Sequence, residues 1–384
     1  MRIRTFRVTG LWILISLLAL PSFGAVCTRG NRPAATLLLP YFEVDTVSAS
    51  GRTTLFSIGN SSDEATAAYV TVWTDWSIPV LGFFVHLNSD EVQTINLRDV
   101  LRDLQIPSLD DADPERFPGC AAASQAPAVT AEQLRQRLRG LPDAETGRCY
   151  GSDRNASSLA VGFVTVDVAA DCVADLDSPR QWVSDALAGN SNILFGEIFY
   201  VDTDQDSAQG RNMVPVRHDP SVEVDRFFDF YPSDLSRVPP DERWRTRFLQ
   251  GLGVDADTEL VIWMAEFDGL DWTDGLMCDS GFPNQIEYHY RTGLESGPLA
   301  ETFQAVVSPA TARKIPIETL LPDGAGDLSG VLEIESWSTC GPCVITPEPP
   351  IRLPSVAWPI VRADGRFSLA VEATAIEGSC IVGE

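Results

Sequence analysis

The sequence predicts a mainly β protein, an antiparallel β-sandwich of immunoglobulin-like or jelly-roll-like type with a small helical, loop-rich insertion. Three observations point there. Short runs of period-2 alternation recur along the chain, separated by turn clusters rich in Gly, Asn, Ser, Asp and Pro. Strand and helix patterns never alternate in the way a parallel α/β sheet requires. An apolar fraction of 44%, with 18 Phe and 9 Trp, supplies a large core and excludes disorder in spite of the acid excess.

Segment 53–58 reads as a strand ending at the turn 59–63. Segment 68–76 follows, with Val70 and Val72 on one face and Tyr69, Thr71 and Trp73 on the other. Segments 80–87 and 92–97 complete four strands of a meander or half-sandwich, and 99–105 adds a short helical turn. Residues 106–157 then become rich in Pro, Asp and Ala. One helix is expected in this insertion: Thr130 and Gln133 form a capping box, Leu134 and Leu138 share a face, and Gly140 stops it. Strand patterns resume at 158–168, 192–201, 259–267, 284–291, 301–307, 331–337 and 366–375. Segment 241–251 reads as a second helix, because Trp244 and Phe248 are spaced i, i+4. The expected organisation is a signal peptide over 1–24, an N-terminal sandwich portion over 25–105, the insertion over 106–157, and a C-terminal β-rich portion over 158–384. The last is expected to pack with 25–105 as one unit.

The signal peptide rests on Arg2, Arg4 and Arg7 preceding the apolar run 11–20, which Pro21 ends, with small Ser22 and Gly24 placed for cleavage before Ala25. A basic head, an apolar core too short to span a bilayer and a small-residue cleavage site form an export leader. The expected location is therefore the periplasm, the cell surface or the extracellular space. No later segment has the length and hydropathy of a membrane span, and Val26 before Cys27 does not fit a lipoprotein cleavage site. An outer-membrane barrel is disfavoured by acidic loops and irregular strand lengths.

Losing the leader removes those three arginines and no acids, which takes the net charge from −26 to −29. A field of that sign repels nucleic acid and anionic membranes and attracts divalent or basic partners. Lys314 is the only lysine of the chain.

An oxidising location makes Cys27, Cys120, Cys149, Cys172, Cys278, Cys340, Cys343 and Cys380 readable as disulfides. Proximity favours a Cys120–Cys149 bridge closing the insertion. The run Cys340-Gly341-Pro342-Cys343 resembles the thioredoxin active-site motif, whose chemistry needs a thiolate at a helix N-terminus. Pro347, Pro349 and Pro350 preclude that helix, so a structural turn, bonded internally or to Cys380, is expected instead.

Common catalytic signatures are absent: no Gly-x-Ser-x-Gly elbow, no His-Glu-x-x-His, no phosphate loop. The three histidines, His86, His218 and His289, are isolated. A glycosidase-type pair remains as the enzymatic alternative. Glu197 shares a strand face with Ile193, Phe195 and Phe199, and Glu266 follows Leu260, Ile262 and Met264; an apolar setting would raise a carboxyl pKa as an acid catalyst needs. For metal, Asp202, Asp204 and Asp206 alternate on a turn as in the first half of an EF-hand loop, and make Ca²⁺ the one candidate ion. Ser207 and Met213 depart from that pattern where Gly and a bidentate Glu are needed. Asp268, Asp271 and Asp274 form a second acidic loop around Trp272.

Three stretches, 35–45, the run from 52–56 through Trp73-Thr74-Asp75-Trp76 to 93–98, and 365–368, together resemble a group of large uncharacterised secreted β-rich bacterial proteins. The resemblance implies an exported β-rich module and brings no catalytic residues with it. The function expected is an exported, non-catalytic structural or binding module, disulfide-stapled and with Ca²⁺ as a candidate stiffening ion, whose partner is a protein or glycan at the cell surface. A secreted carbohydrate-active hydrolase using the Glu pair is the first alternative; a periplasmic thiol–disulfide protein is the second.

Overall fold

The computed structural model describes residues 32–123, 127, 129–152, 157–173, 176, 178–185, 187–221, 236–238, 240, 243–252, 255–265, 276–278, 284–294, 304–308, 311–321, 328–340, 351–352, 354–363, 367–370 and 374–375. The chain opens with β1 (Thr36–Asp45), β2 (Arg52–Asn60), β3 (Thr66–Thr74), β4 (Pro79–Leu87) and β5 (Val92–Asn96). Helices α1 (Leu97–Asp103), α2 (Pro118–Ala122) and α3 (Ala131–Leu138) follow, then β6 (Arg148–Cys149), β7 (Leu159–Ala169) and α4 (Pro179–Ser184). Next come β8 (Leu194–Asp202), β9 (Ser207–Asn212), β10 (Val214–Val216), β11 (Arg243–Gln250), β12 (Asp257–Met264) and β13 (Leu276–Met277). The chain continues through β14 (Asn284–Leu294), β15 (Gln304–Ser308), β16 (Ala312–Pro316) and β17 (Leu328–Cys340). It ends with β18 (Ile351–Arg352), β19 (Ser355–Ala363), β20 (Phe367–Ala370) and β21 (Thr374–Ala375). No helix among the described residues is long and apolar enough to cross a membrane.

Apart from the two-stranded ribbon β6–β13, these strands form four antiparallel sheets stacked as layers. Layer one is β5-β2-β8-β9, layer two β10-β1-β7-β3-β4, layer three β16-β12-β19-β20, and layer four β15-β14-β17-β11-β21 with β18 paired to β17. Phe56, Ile58 and Ile198 of layer one meet Leu37, Leu39, Val70 and Val164 of layer two in the first core. Leu38, Tyr69, Trp73 and Phe163 on the opposite face of layer two meet Val261, Trp263 and Trp358 of layer three in the second. Phe248, Leu332 and Ile334 of layer four close the third core on Leu260, Ile262 and Met264. Two sandwiches thus pack their inner sheets against each other, and the middle core is aromatic: Phe163 stacks on Trp73 with ring centroids 5.6 Å apart and meets Trp263 edge-on at 5.8 Å. Burial on both sides explains why β3 is covered at every position although its sequence alternates; Val70 and Val72 serve one core, Tyr69 and Trp73 the other.

A bulge in β1 sets the chemistry of the middle layer. Opposite β7 the register runs Leu39 to Val164 and then Phe42 to Gly162, so Pro40 and Tyr41 together face one residue. Proline is tolerated at a bulge, where a ladder donor is not needed. The extra residue switches the faces of everything after it. Leu37 and Leu39 point into the first core, but beyond the bulge Phe42 and Val44 do, which turns Glu43 towards layer three.

The helix of the insertion forms as expected. Thr130 accepts from the Gln133 amide, the Gln133 side chain returns to the Thr130 amide, and Leu134 and Leu138 are fully buried. The 241–251 expectation is corrected: the segment is strand β11. The spacing of Trp244 and Phe248 fits both periods, and the deciding pattern is Arg243, Arg245 and Arg247 alternating with Trp244, Thr246 and Phe248. Non-local pairing rewards the alternation, since Arg243 and Arg245 lie directly across from Glu335 and Glu333 of β17 and pair with them.

The Cys120–Cys149 expectation is also corrected. Cys120 is bonded to Cys172 and Cys149 to Cys278. Cys120 packs in the middle core and Cys149 in the first, on opposite sides of layer two, so nearness in sequence could not bring them together. Asp171 accepts the backbone amides of Gly119, Cys120 and Cys172, which holds α2 in place for the first bridge. The second bridge lies in the two-stranded ribbon β6–β13, where Cys149 is paired with Leu276. Among the remaining cysteines, Cys340 ends β17; Cys27, Cys343 and Cys380 lie outside the described residues.

Candidate functional site

Where layers one, two and three meet, six charged side chains form one continuous chain of ion pairs. Arg52 at the start of β2 is paired across the sheet with Asp202 at the end of β8, and its Nε donates to Asp202 Oδ2 at 3.0 Å. Its Nη1 donates to Glu43 Oε1 at 3.0 Å. Glu43, turned by the bulge, receives Lys314 Nζ of β16 on both carboxylate oxygens, at 3.0 and 2.7 Å. Lys314 Nζ also stands 3.2 Å from Glu259 Oε1 of β12. Arg362 Nη1 of β19 closes the chain 2.6 Å from Glu259 Oε2. The strand registers explain the grouping on layer three: Val261 faces Lys314, Glu259 faces Ile360, and Arg362 lies diagonal to Glu259.

The side chains of Lys314 and Glu43 are only 10% and 12% exposed, so the pairing decides their charge states. Burial pushes the Glu43 carboxyl up, but Lys314 and Arg52 together outweigh it and hold it below its ordinary value. For Arg52, burial works against the charge, and Glu43 and then Asp202 more than restore it. Three acids and three bases pair off completely, so the chain carries no net charge.

Above these residues opens a narrow cleft of about 30 Å3, room for about two water molecules, lined by Tyr41, Glu43, Arg52, Tyr200, Gln209 and Arg362, among others. Tyr200 donates its hydroxyl to the Tyr41 carbonyl at 2.7 Å, and burial raises its pKa, which keeps the phenol neutral. Gln209, opposite Tyr200 in the β8–β9 hairpin, is 5% exposed, and neither its Nε2 nor its Oε1 has a hydrogen-bond partner. Two residues on, the Arg211 guanidinium lies 3.9 Å from the ring centre of Trp358, tying β9 to layer three. A second interior polar group is satisfied throughout: Thr36 donates to Asp167 at 2.6 Å, while Arg237 donates to Thr36, Asn190 and the Gly189 carbonyl.

The residues anticipated from sequence fall elsewhere. Glu197 shares its face with Phe195 and Phe199 as expected, but that face of β8 is open to solvent; the enclosed apolar setting is corrected. The inner face of β8 is taken by Leu194 and Ile198 instead. Glu266 and the loop of Asp268, Asp271, Trp272 and Asp274 lie outside the described residues. Asp202, Asp204 and Asp206 sit on the β8–β9 turn. Asp202 Oδ1 accepts the amides of Asp204 and Gln205 while Oδ2 holds Arg52, and Asp206 closes the turn in the left-handed region at φ 49°. The one group of three potential ligands within 4.8 Å of one another, among the described residues, is Cys120, Asp171 and Cys172, two of which are the joined sulfurs of a disulfide. Sequence reasoning missed Glu43, Arg52 and Gln209. It noted Lys314 as the sole lysine without giving it a role.

The chain matches no model of a known protein family and no curated protein.

Proposed function

We propose that this chain is an exported, non-catalytic β module that binds a ligand or partner outside the cytoplasm. The observation that carries the reading is the pair of disulfides, Cys120–Cys172 and Cys149–Cys278, spanning 52 and 129 residues. Bridges of that span persist in oxidising compartments and are reduced in the cytosol. The leader-like pattern of residues 1–24 supports the same location. The non-catalytic part draws support from the ion-pair chain, whose carboxylates and bases neutralise one another. Calcium, suggested by the 202–206 turn, would have to displace the Arg52 guanidinium from Asp202.

The test is expression of the full chain in a bacterium with an oxidising periplasm, followed by fractionation and non-reducing peptide mapping. The reading expects export, loss of residues 1–24 and the two linked peptide pairs. Recovery of the folded protein with reduced Cys120, Cys149, Cys172 and Cys278 in the cytosol would overturn it.

A further inference from the structure

We infer that the open face of layer one, built on Phe195, Glu197 and Phe199, is a docking surface for an extended basic peptide segment of a partner protein. The inference rests on the binding-module reading and names the partner's chemistry.

The rings are the first support. Three of the five exposed large apolar side chains among the described residues, Val92, Phe195 and Phe199, belong to this one sheet face. Val92 and Phe195 flank Gly59 in a single row across β5, β2 and β8, and Phe199 stands between Leu55 and Gly210 two rows on. A Cβ on Gly59 would stand 2.5 and 2.6 Å from the two Cε atoms of Phe195 and nearer still to Cζ, as over a ring laid flat on the glycine. Gly210 takes the Phe199 ring in the same way, with Cε1 and Cδ1 at 3.0 and 3.1 Å from its Cβ position. Each ring thus covers backbone with one side and remains 38% exposed on the other. An exposed apolar patch rimmed by polar residues marks a contact surface, and the open π face of a ring attracts a cation.

Charge selects the occupant. Glu197 is exposed between the two rings on the same strand face and makes no ion pair among the described residues. Segments 52–65, 88–96 and 194–212, which form layer one and its turns, hold eight acids and two bases. Both bases are drawn inwards, Arg52 into the ion-pair chain and Arg211 against Trp358. Arg52 holds Asp202 and Arg116 holds Glu64, which leaves the outward side of the layer acidic. Such a field draws in a cationic partner and repels an anionic one. It also opposes a second copy of this chain, which would bring Glu197 against Glu197.

Spacing fixes the form. Phe195, Glu197 and Phe199 recur at every second residue, about 6.6 Å apart along β8, the same step that separates same-side side chains of an extended peptide. A segment reading apolar-x-Arg-x-apolar sets its guanidinium on the Glu197 carboxylate, between the rings, and its apolar side chains over Phe195 and Phe199.

Calorimetric titration of the exported, disulfide-intact protein tests the inference, with the capped peptide Leu-Ser-Arg-Ser-Leu-Ser-Arg-Ser-Leu as probe and its Glu-for-Arg counterpart as control. The basic peptide is expected to bind and the acidic one not to. Glu197→Arg should weaken the basic peptide at least about tenfold, and Phe195→Ala with Phe199→Ala at least about tenfold as well. An exchange at an exposed strand position such as 197 leaves the fold intact, so E197R carries the test alone if the ring variant melts early. Absence of binding by the basic peptide at millimolar concentration overturns the inference, as does binding that E197R leaves unchanged. Sedimentation showing a dimer that F195A/F199A abolishes would seat a second copy on the face. Retardation by hydroxyethylcellulose in a native gel, lost in the same variant, would seat a glycan there. Either result overturns the inference and leaves the module reading standing. Cytosolic protein with reduced cysteines that still binds the basic peptide would do the reverse.

Discussion

Lys314→Met tests whether the ion-pair chain holds the two sandwiches together. The substitution keeps the length and apolar stem of the side chain and removes only the ammonium that stands 2.7 Å from Glu43 Oε2 and 3.2 Å from Glu259 Oε1. Deleting one partner of a buried pair costs about 3–5 kcal/mol, because the remaining charge stays desolvated. Here Glu43 keeps Arg52 and Glu259 keeps Arg362, so the lower end applies, about 3 kcal/mol at neutral pH. The pH dependence has a definite sign. In the wild type the Glu43 carboxyl lies below its ordinary value of 4.5. Its stabilising contribution is therefore complete above that value and is lost as the pH falls through the depressed folded one. Without Lys314, burial is opposed mainly by Arg52 and the Glu43 carboxyl rises, so the variant loses less on acidification than the wild type does. Urea unfolding of both proteins, with disulfides intact, between about pH 7 and about pH 4 reads the effect. The gap should narrow steadily towards the acid end, and Glu43→Gln in the K314M background should recover part of it at neutral pH. A neutral-pH loss below about 0.5 kcal/mol, the size of an exposed pair, or a loss that ignores pH, would refute the reasoning.

Replacing Cys149 and Cys278 together by Ser should cost about 5 kcal/mol, and the Cys120–Cys172 pair about 4 kcal/mol, because loop-closure entropy scales with the logarithm of the 129 and 52 residues enclosed. Equal midpoints for both double variants in denaturant titrations would contradict that ordering. Gly162→Ala should destabilise by about 1–3 kcal/mol, since a Cβ there would sit 2.0 Å from the Trp73 backbone carbonyl, which cannot move aside; a neutral effect on the melt would mean that β3 and β7 are more loosely paired than described. Melts in excess EDTA and in millimolar Ca²⁺ should coincide, because Asp202 is already engaged by Arg52 and the turn amides. A rise of several degrees in calcium would instead reveal a native-state ion site on the acidic turn.

Most strands were legible because alternation is local. Segments 53–58 and 80–87 carry it plainly and lie within β2 and β4, and 92–97 overruns β5 by Leu97, the first residue of α1. The capping box at Thr130 is equally local and was read correctly. Segment 241–251 was misread because i, i+4 spacing satisfies both periods, and the acids that settle the matter are distant in the chain, Glu333 lying 88 residues from Arg245. The candidate site was the least legible part. Glu197 was assigned its correct neighbours on the strand, but whether that face is covered depends on which sheet packs against it, and among the described residues Phe195, Glu197 and Phe199 stay exposed.

By itself, then, the sequence determined the fold class and the insertion helix, because each follows from periodicity within a single segment. Tertiary structure alone decided three things: which cysteines pair, that two sandwiches stack into four layers, and that Glu43 turns towards Lys314. The physical reason is common to all three. Disulfide partners, layer order and the face taken after the Pro40–Tyr41 bulge depend on contacts between residues far apart in the chain. Glu43 and Lys314, 271 residues apart, carry no mark of each other until the sheets have packed.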